Sequence, residues 1–285
     1  MSGWRAILRA ERYRTWHTRS SPLLLLVLFC VPAFAVLARY AGEARSRAAA
    51  ALSGSSAGEA ASSGSGWAPL VDGWRVGLAL GSLLLFVHAL RSVSVDRENG
   101  LLRMAVVRGV RRRDLVVGRA LFACVLVVSV FLVTGLGAFA ASFRLYDFGA
   151  LVEDGYVLAE AGELRDELWR AAALALPGLL ATYAFGLCLS SASRTSTGAL
   201  VSGLILFLGF DLFKDTLGAG QYWIFAAYTP SLVDGSALGE MSGIARGYSD
   251  AGFSSELSSF NLWLPWPQAL LLLLVSTWAV SRRNL

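Results

Sequence analysis

The stretch SVDRENGLLRMAVVRGVRRRDLVVGR, residues 94–119, carries seven arginines and three carboxylates. One apolar run, 74–90, precedes it, and another, 116–141, begins before it ends. A spanning helix needs about 20 mainly apolar residues, because the hydrocarbon core is about 30 Å thick and each helical residue rises about 1.5 Å. Both runs are long enough to cross a bilayer. The stretch therefore predicts a charged connection between two membrane-spanning helices.

The composition extends this prediction to the whole chain. Of the 285 residues, 55% are hydrophobic and 16% are charged, and the mean hydropathy is +0.57. A soluble domain carries about 25% charged residues. Six apolar runs meet the length requirement: 22–38, 74–90, 116–141, 168–189, 197–213 and 262–280. None shows the alternation of a membrane barrel. We expect an all-α membrane protein with six transmembrane helices in a single domain, residues 1–285.

The distribution of arginines predicts the orientation, since basic loops stay on the cytoplasmic side. With the N-terminus inside, the cytoplasmic segments hold 16 of the 25 basic residues but only 4 of the 20 acidic ones. Both termini are therefore expected in the cytoplasm. A secretory signal is the alternative reading of the first run. The long basic segment before it, and the poor cleavage site at 39–43, favour a retained helix.

Residues 1–20 form a basic arm before the first span. Trp4, Ile7, Leu8 and Glu11 share one helical stripe, and most arginines lie off it. This pattern predicts an amphipathic helix on the inner leaflet. An ordinary basic flanking arm is the alternative.

Three outer loops differ in composition. Residues 42–67, rich in Ala, Ser and Gly, are expected to be flexible and to hold no site. The acidic loop 142–167 predicts a solvated acidic helix, with a cation site as the alternative. Aromatic side chains fill 214–261, which predicts short helices dipping into the outer leaflet, a re-entrant segment before the last span.

The residues needed for most catalytic sites are missing from the sequence. It contains two histidines, His17 and His88, and one lysine, Lys214, so neither a three-histidine zinc site nor a phosphate loop is possible. His88 is interpreted as an interfacial histidine or one satisfied by a neighbouring helix. Asp211, Lys214 and Asp215 have the spacing of a mutual ion pair, with a substrate site as the alternative. We expect no catalytic residue, no metal and no ATP hydrolysis in this chain.

The charged stretch itself has internal structure. Residues 96–100 interrupt the second span, and 101–107 permit a short helix along the membrane surface. Leu101, Leu102, Ala105 and Val106 would expose apolar side chains there unless they met lipid or a partner protein. A solvated basic loop is the alternative.

In these motifs the chain resembles the membrane subunits of type 2 ABC exporters. That family commonly shows Arg/Ser-Glu-x-Gly-Thr-Leu, then a Pro- and Arg-containing turn, then Gly-Lys at the start of the third helix. Residues 97–102, Arg-Glu-Asn-Gly-Leu-Leu, resemble the first part with Leu101 in place of Thr. Residues 111–114 resemble the second, and Gly118-Arg119 the third. The N-terminal arm and the six-helix plan are also similar, so the resemblance covers essentially the whole chain.

The resemblance implies that residues 94–112 form a coupling helix region, seated in a cleft of a separate ATPase subunit. Two ATPase copies would bind the ATP and magnesium, and this chain would need no cofactor. The residues implied in this contact are Arg97, Glu98, Asn99, Gly100, Leu101, Leu102, Arg108, Arg111, Arg112, Arg113, Gly118 and Arg119. Glu98 is expected to contact the ATPase or the interfacial arm, and Gly100 to permit a sharp chain reversal.

The resemblance further implies a bacterial plasma-membrane location and a second permease copy or paralogue, with the substrate path between the two. The candidate lining residues are Gly77, Gly81, Ser82, Gly198 and Ser202, although small residues equally serve helix packing. Two other classes stay open. An ion-coupled secondary transporter would need intramembrane carboxylates, which the span centres almost entirely lack. The other is a membrane anchor or assembly subunit without a path.

Overall fold

The computed structural model describes residues 3–17, 20–53, 65–107, 109–153, 156–231, 235–247 and 255–282. The helices within them are α1 (Gly3–His17), α2 (Ser20–Ser53), α3 (Trp67–Glu98), α4 (Leu101–Val107), α5 (Arg112–Leu145), α6 (Ala161–Ala192), α7 (Ser196–Phe213), α8 (Ala237–Ile244), α9 (Ser255–Trp263) and α10 (Pro265–Arg282). Two short strands, β1 (Leu151–Glu153) and β2 (Tyr156–Ala159), lie between α5 and α6. Two 3-10 segments, Lys214–Trp223 and Phe225–Tyr228, follow α7.

Within the described residues, six helical stretches are long and apolar enough to cross a membrane. They are Ser21–Ser53, Trp67–Glu98, Arg112–Leu145, Ala161–Ala192, Ser196–Phe213 and Ser259–Arg282. Each predicted run lies inside one of them, which confirms the prediction of a multi-pass membrane protein. Four of the stretches have 32 to 34 residues, so they extend past the apolar runs into polar sequence at their ends.

Helix α3 is central to the bundle and packs against α2, α5, α6 and α7. Its glycines allow the close approach. A Cβ on Gly77 would lie 3.0 Å from Thr134 of α5 and 3.1 Å from Pro32 of α2, and one on Gly81 would lie 2.4 Å from Val130. Phe86, Ala89 and Leu90 continue this packing and are fully buried. In α2, α7 and α10, by contrast, most residues of the spans are not buried within the chain.

The loop between α5 and α6 corrects two expectations. Strands β1 and β2 pair antiparallel there, so the described fold is not entirely helical. The predicted acidic helix is also wrong for Leu151–Glu153 and Tyr156–Ala159, where Leu, Val and Tyr favour extended backbone. Helix α6 begins only at Ala161, and Glu163 accepts a hydrogen bond from the backbone nitrogen of Glu160 at 3.2 Å. No group of three metal-ligating side chains occurs among the described residues.

The segment after α7 is ordered around buried aromatic rings. Phe225 and Tyr228 are buried, whereas Trp223 is exposed. Lys214 donates to Asp211 at 2.9 Å and both side chains are buried, which confirms the predicted ion pair between these two residues. The side chain of Asp215 lies outside the described set. In the loop rich in Ala, Ser and Gly, α2 continues to Ser53. Residues 54–64, expected to be flexible, also lie outside the described residues.

Candidate functional site at the arm end of the bundle

Helix α1 docks against α5 at one end of the bundle, called the arm end here, where α3 and α6 finish and α7 begins. Gly118 makes the close approach possible. A Cβ at this position would lie 2.8 Å from the Ile7 side chain and 3.1 Å from the carbonyl oxygen of Trp4. Trp4, Ile7 and Glu11 of the predicted stripe are all half-buried. The arm is therefore a docked helix whose stripe faces α5.

A cluster of four charged side chains fastens this arm to the bundle. The Nε of Arg119 donates to Glu11 Oε1 at 3.1 Å, and a terminal nitrogen of the same guanidinium donates to Asp96. Arg14 donates to the other Asp96 oxygen at 2.9 Å. The side chains of Arg119, Asp96 and Glu11 are 3%, 10% and 12% exposed. Two cations and two carboxylates thus balance at the contact between α1, α3 and α5, where Arg119, Asp96 and Glu11 are largely removed from water and Arg14 is 52% exposed.

This cluster changes the expectation for two residues. The resemblance places Gly118 and Arg119 among the residues that face an ATPase, whereas in the structure both lie beneath the arm of the same chain. Asp96 is a site residue that the sequence reasoning missed. It lies 23 residues before Arg119, and no local spacing rule connects positions so far apart.

Arg97 and Glu98 tie the end of α3 to the junction between α6 and α7. Arg97 donates to the carbonyl oxygen of Ser191 at 3.1 Å and to that of Ser193. Glu98 accepts from the backbone nitrogen of Ser196 at 2.7 Å and from its hydroxyl at 2.5 Å. A carboxylate on the first amide of a helix satisfies an orphan donor and complements the helix dipole. At the end of α3, Asp96 rather than Glu98 is the acid that contacts the arm in the described residues.

Gly100 and Gly109 bracket the short helix α4, with φ of 70° and 83°. Only glycine adopts such angles without strain, and at Gly100 the chain turns from the end of α3 into α4. Asn99 ends α3, with its backbone nitrogen 3.0 Å from the carbonyl oxygen of Val95. Leu102 is buried, which corrects the expectation that it would be exposed. The exposed apolar side chains of α4 are Leu101, Met104 and Val107, at 41%, 50% and 87%.

The arginine run after α4 leads into α5. Arg111 and Arg113 are exposed, and Arg112 donates to the carbonyl oxygen of Ser281 at 3.0 Å, which joins α5 to the end of α10. Arg108 lies outside the described residues. A cavity of about 310 Å³ separates the arm from α4, and Glu11, Arg14 and Asp96 line it together with Leu101.

The proposed path residues divide into two groups. Gly77 and Gly81 are buried against α2 and α5, which is the helix-packing alternative. Ser82 is also buried, and its hydroxyl lies 2.8 Å from the carbonyl oxygen of Ala79. Gly198 and Ser202 lie on an exposed face of α7, with the Ser202 hydroxyl 2.7 Å from the Gly198 carbonyl oxygen. Of the two groups, therefore, the second is the one exposed on the surface of the chain.

The sequence matches no family model, and a search of the curated proteins finds no relative. The site must therefore be interpreted from its own geometry.

Proposed function

We propose that the chain is the membrane subunit of an ATP-driven ABC exporter and that α4 is the element contacted by a separate ATPase subunit. The observation that carries the proposal is the exposed apolar face of α4. Leu101, Met104 and Val107 fall within about a third of the helix circumference, since successive helical residues are about 100° apart. Beyond the spans such side chains would face water. A cleft in a partner protein covers them at lower free-energy cost.

The surroundings of α4 support a role in transmitting force. The chain enters α4 directly from the end of α3. There Arg97 forms a hydrogen bond with the end of α6, and Glu98 forms one with the start of α7. Asp96 forms ion pairs with α5 and with the arm. A displacement of α4 would therefore act on several helices together. Arg111 and Arg113 give the same end a positive surface suited to acidic residues or lipid phosphates.

A second copy of the chain or a paralogue would complete the transporter. Gly198 and Ser202 form a small-xxx-small pair on an exposed face of α7, and such pairs favour close helix association in membranes. The substrate path would run between the two copies. The aromatic segment 214–261, in its proposed re-entrant role, favours an amphiphile, a lipid-linked sugar or a hydrophobic peptide over a small ion. The arginine asymmetry supports cytoplasmic termini in a bacterial plasma membrane.

Copurification tests the assignment. The tagged full chain is expected to retain a soluble subunit with a phosphate loop, encoded by the neighbouring reading frame. Val107→Glu puts a charge on the exposed face of α4 and should abolish this retention. Leu217→Glu changes an equally apolar residue, 51% exposed in the first 3-10 segment, and should leave it intact. Equal retention by the α4 variant would overturn the role of α4. If no ATPase is retained by the wild type, an ion-coupled transporter or an anchor subunit is the better reading.

Uncoupling gives a second test. Glu98→Ala and Gly100→Leu should both leave the protein inserted but lower export and substrate-stimulated ATPase activity. Normal coupling in both variants would contradict the proposal.

A further inference from the structure

A second cavity lies on the other side of the arm's ion cluster, lined by residues of α1, α2, α3 and α5 and open on one side, with a volume of about 340 Å³. Its wall is divided by chemistry. Leucines of α2 and α3, including Leu24, Leu25 and Leu84, form one part. Arg14 of the arm and His88 and Arg91 of α3 line the other. The proposed ATPase contact at α4 does not involve this cavity.

The polar part of the wall carries surplus positive charge. Arg91 is exposed and makes no ion pair or hydrogen bond with another residue in the described ranges, and the ring nitrogens of His88 make no hydrogen bond there. Arg14 shares Asp96 with Arg119, while Glu11 is engaged by Arg119. The carboxylates that line or adjoin the cavity are thus already committed to a neighbouring guanidinium. An anion is the complement that remains for Arg91.

The apolar part of the wall indicates what the anion is attached to. Leu24, Leu25 and Leu28 follow α2 into the first membrane span, so this wall lies alongside hydrocarbon. A soluble phosphate would leave that wall uncovered, whereas an amphiphile covers both parts. The hydrophobic term scales with the apolar area removed from water, and the phosphate of a lipid headgroup can accept paired, charge-assisted hydrogen bonds from arginine.

We propose that this cavity binds an anionic glycerophospholipid from the surrounding leaflet. Its phosphate lies between Arg14, His88 and Arg91, and the first part of one acyl chain follows Leu24, Leu25 and Leu28. A lipid in this position contacts both the arm and α3, and it stabilises the docked position of the arm in addition to the ion cluster. The site does not depend on the transport proposal, because it requires neither an ATPase nor a second copy.

The test is a lipid titration of the purified full chain in detergent, followed by native mass spectrometry. Phosphatidylglycerol should bind more tightly than phosphatidylcholine with the same acyl chains. Arg91→Gln should weaken phosphatidylglycerol binding about tenfold, which is the effect of losing one charge-assisted contact. Arg103→Gln is the matched control. It removes the same charge from an exposed position on α4 outside the cavity and should change binding less than twofold.

The apolar part is tested separately with Leu84→Trp, which fills the cavity without changing charge and should also weaken binding about tenfold. Leu121→Trp, on an exposed position of α5 outside the cavity, is its control. Lipid-free melting temperatures close to that of the wild type establish that the variants are folded. Equal losses for Arg91→Gln and Arg103→Gln would overturn the site in favour of diffuse attraction. Unchanged binding by Leu84→Trp, or equal competition by soluble glycerol phosphate, would also overturn it.

Discussion

Two aspartates of α3, Asp72 and Asp96, each hold arginines from other elements, and they lie about 36 Å apart along the helix, given a rise of about 1.5 Å per residue. Asp96 binds Arg119 and Arg14 at the arm end. Asp72 binds Arg39 of α2 and, at 2.7 Å, Arg246 after α8. The clusters differ in their most buried arginine: Arg119 is 3% exposed, whereas Arg39 and Arg246 are 29% and 39% exposed; the second arginine at the arm end, Arg14, is 52% exposed.

This difference separates two uses of the same pair of residue types. A charge removed from water must keep its partner, so breaking a buried pair is costly. A pair near solvent gains less from its contact and is screened by salt. We therefore expect the arm-end cluster to fix the position of α1 strongly, and the Asp72 cluster to tether α2 and the segment after α8 weakly.

The largest effect is expected for Arg119→Met. Loss of this guanidinium leaves Glu11 without its ion-pair partner and removes one of the two partners of Asp96, so stability should fall by about 3 to 5 kcal/mol. Denaturant unfolding in detergent measures the loss, and trypsin cleavage within the arm should accelerate. Arg113→Met is the control: Arg113 is an exposed arginine near the start of α5, and its replacement should leave the stability nearly unchanged. A protected arm in Arg119→Met would refute the fastening role.

Gly118→Val tests the same docking through shape. Its side chain would overlap Ile7 and the Trp4 carbonyl, at a cost of about 1 to 3 kcal/mol. Amide exchange across 3–17 should rise while exchange in α3 stays low. Gly162→Val introduces the same residue near the start of α6, where a Cβ would meet nothing within 4 Å. Equal exchange in the arm of both variants would contradict the close contact.

Alanine substitutions at two glycines with positive φ, one at each end of the bundle, separate an effect on stability from an effect on ATPase binding. Gly100→Ala and Gly247→Ala place an alanine at φ of 70° and 83°, one at each end of the bundle. Each should cost about 1 to 2 kcal/mol, measured by thermal unfolding. Only Gly100→Ala should weaken retention of the proposed ATPase, because only Gly100 directs α4. Similar retention by both variants would argue against that role.

The smallest effect is expected for Asp72→Asn, at about 1 kcal/mol in low salt. The difference from the wild type should shrink as sodium chloride rises from about 50 to 500 mM, since the Debye length shortens to a few ångströms. The corresponding loss in Asp96→Asn should change little with salt. Equal salt dependence of the two variants would remove the distinction between the clusters.

Much of the fold was predictable because local sequence determines it. The six apolar runs lie inside the spanning helices, the arm stripe predicts α1, and Gly100 separates α3 from α4. Arg119 shows where local reasoning stops. Its position at the start of a span predicts surface exposure, yet α1 covers it, and that docking depends on the rotation of two helices relative to each other. The contact of Glu98 with Ser196 joins positions 98 residues apart and has no local signal for the same reason.

The strand pair was missed because its segment is short. Acidic residues dominate the composition of the loop 142–167, but several of them, including Glu163, Asp166 and Glu167, lie in the first turns of α6. The apolar residues of 151–159 fit a paired, extended backbone just as well, and pairing was decided by the partner strand.

The continuity of α3 has a mechanical consequence. A proline lies in the interior of α2, at Pro32, and in that of α6, at Pro177, whereas the proline of α3, Pro69, lies in its first turn, where no helical hydrogen bond is lost. From Asp72 to Glu98 the helix contains no proline. We therefore expect a displacement beside Gly100 to be transmitted along α3 to the ion pairs of Asp72, at the opposite end of the helix.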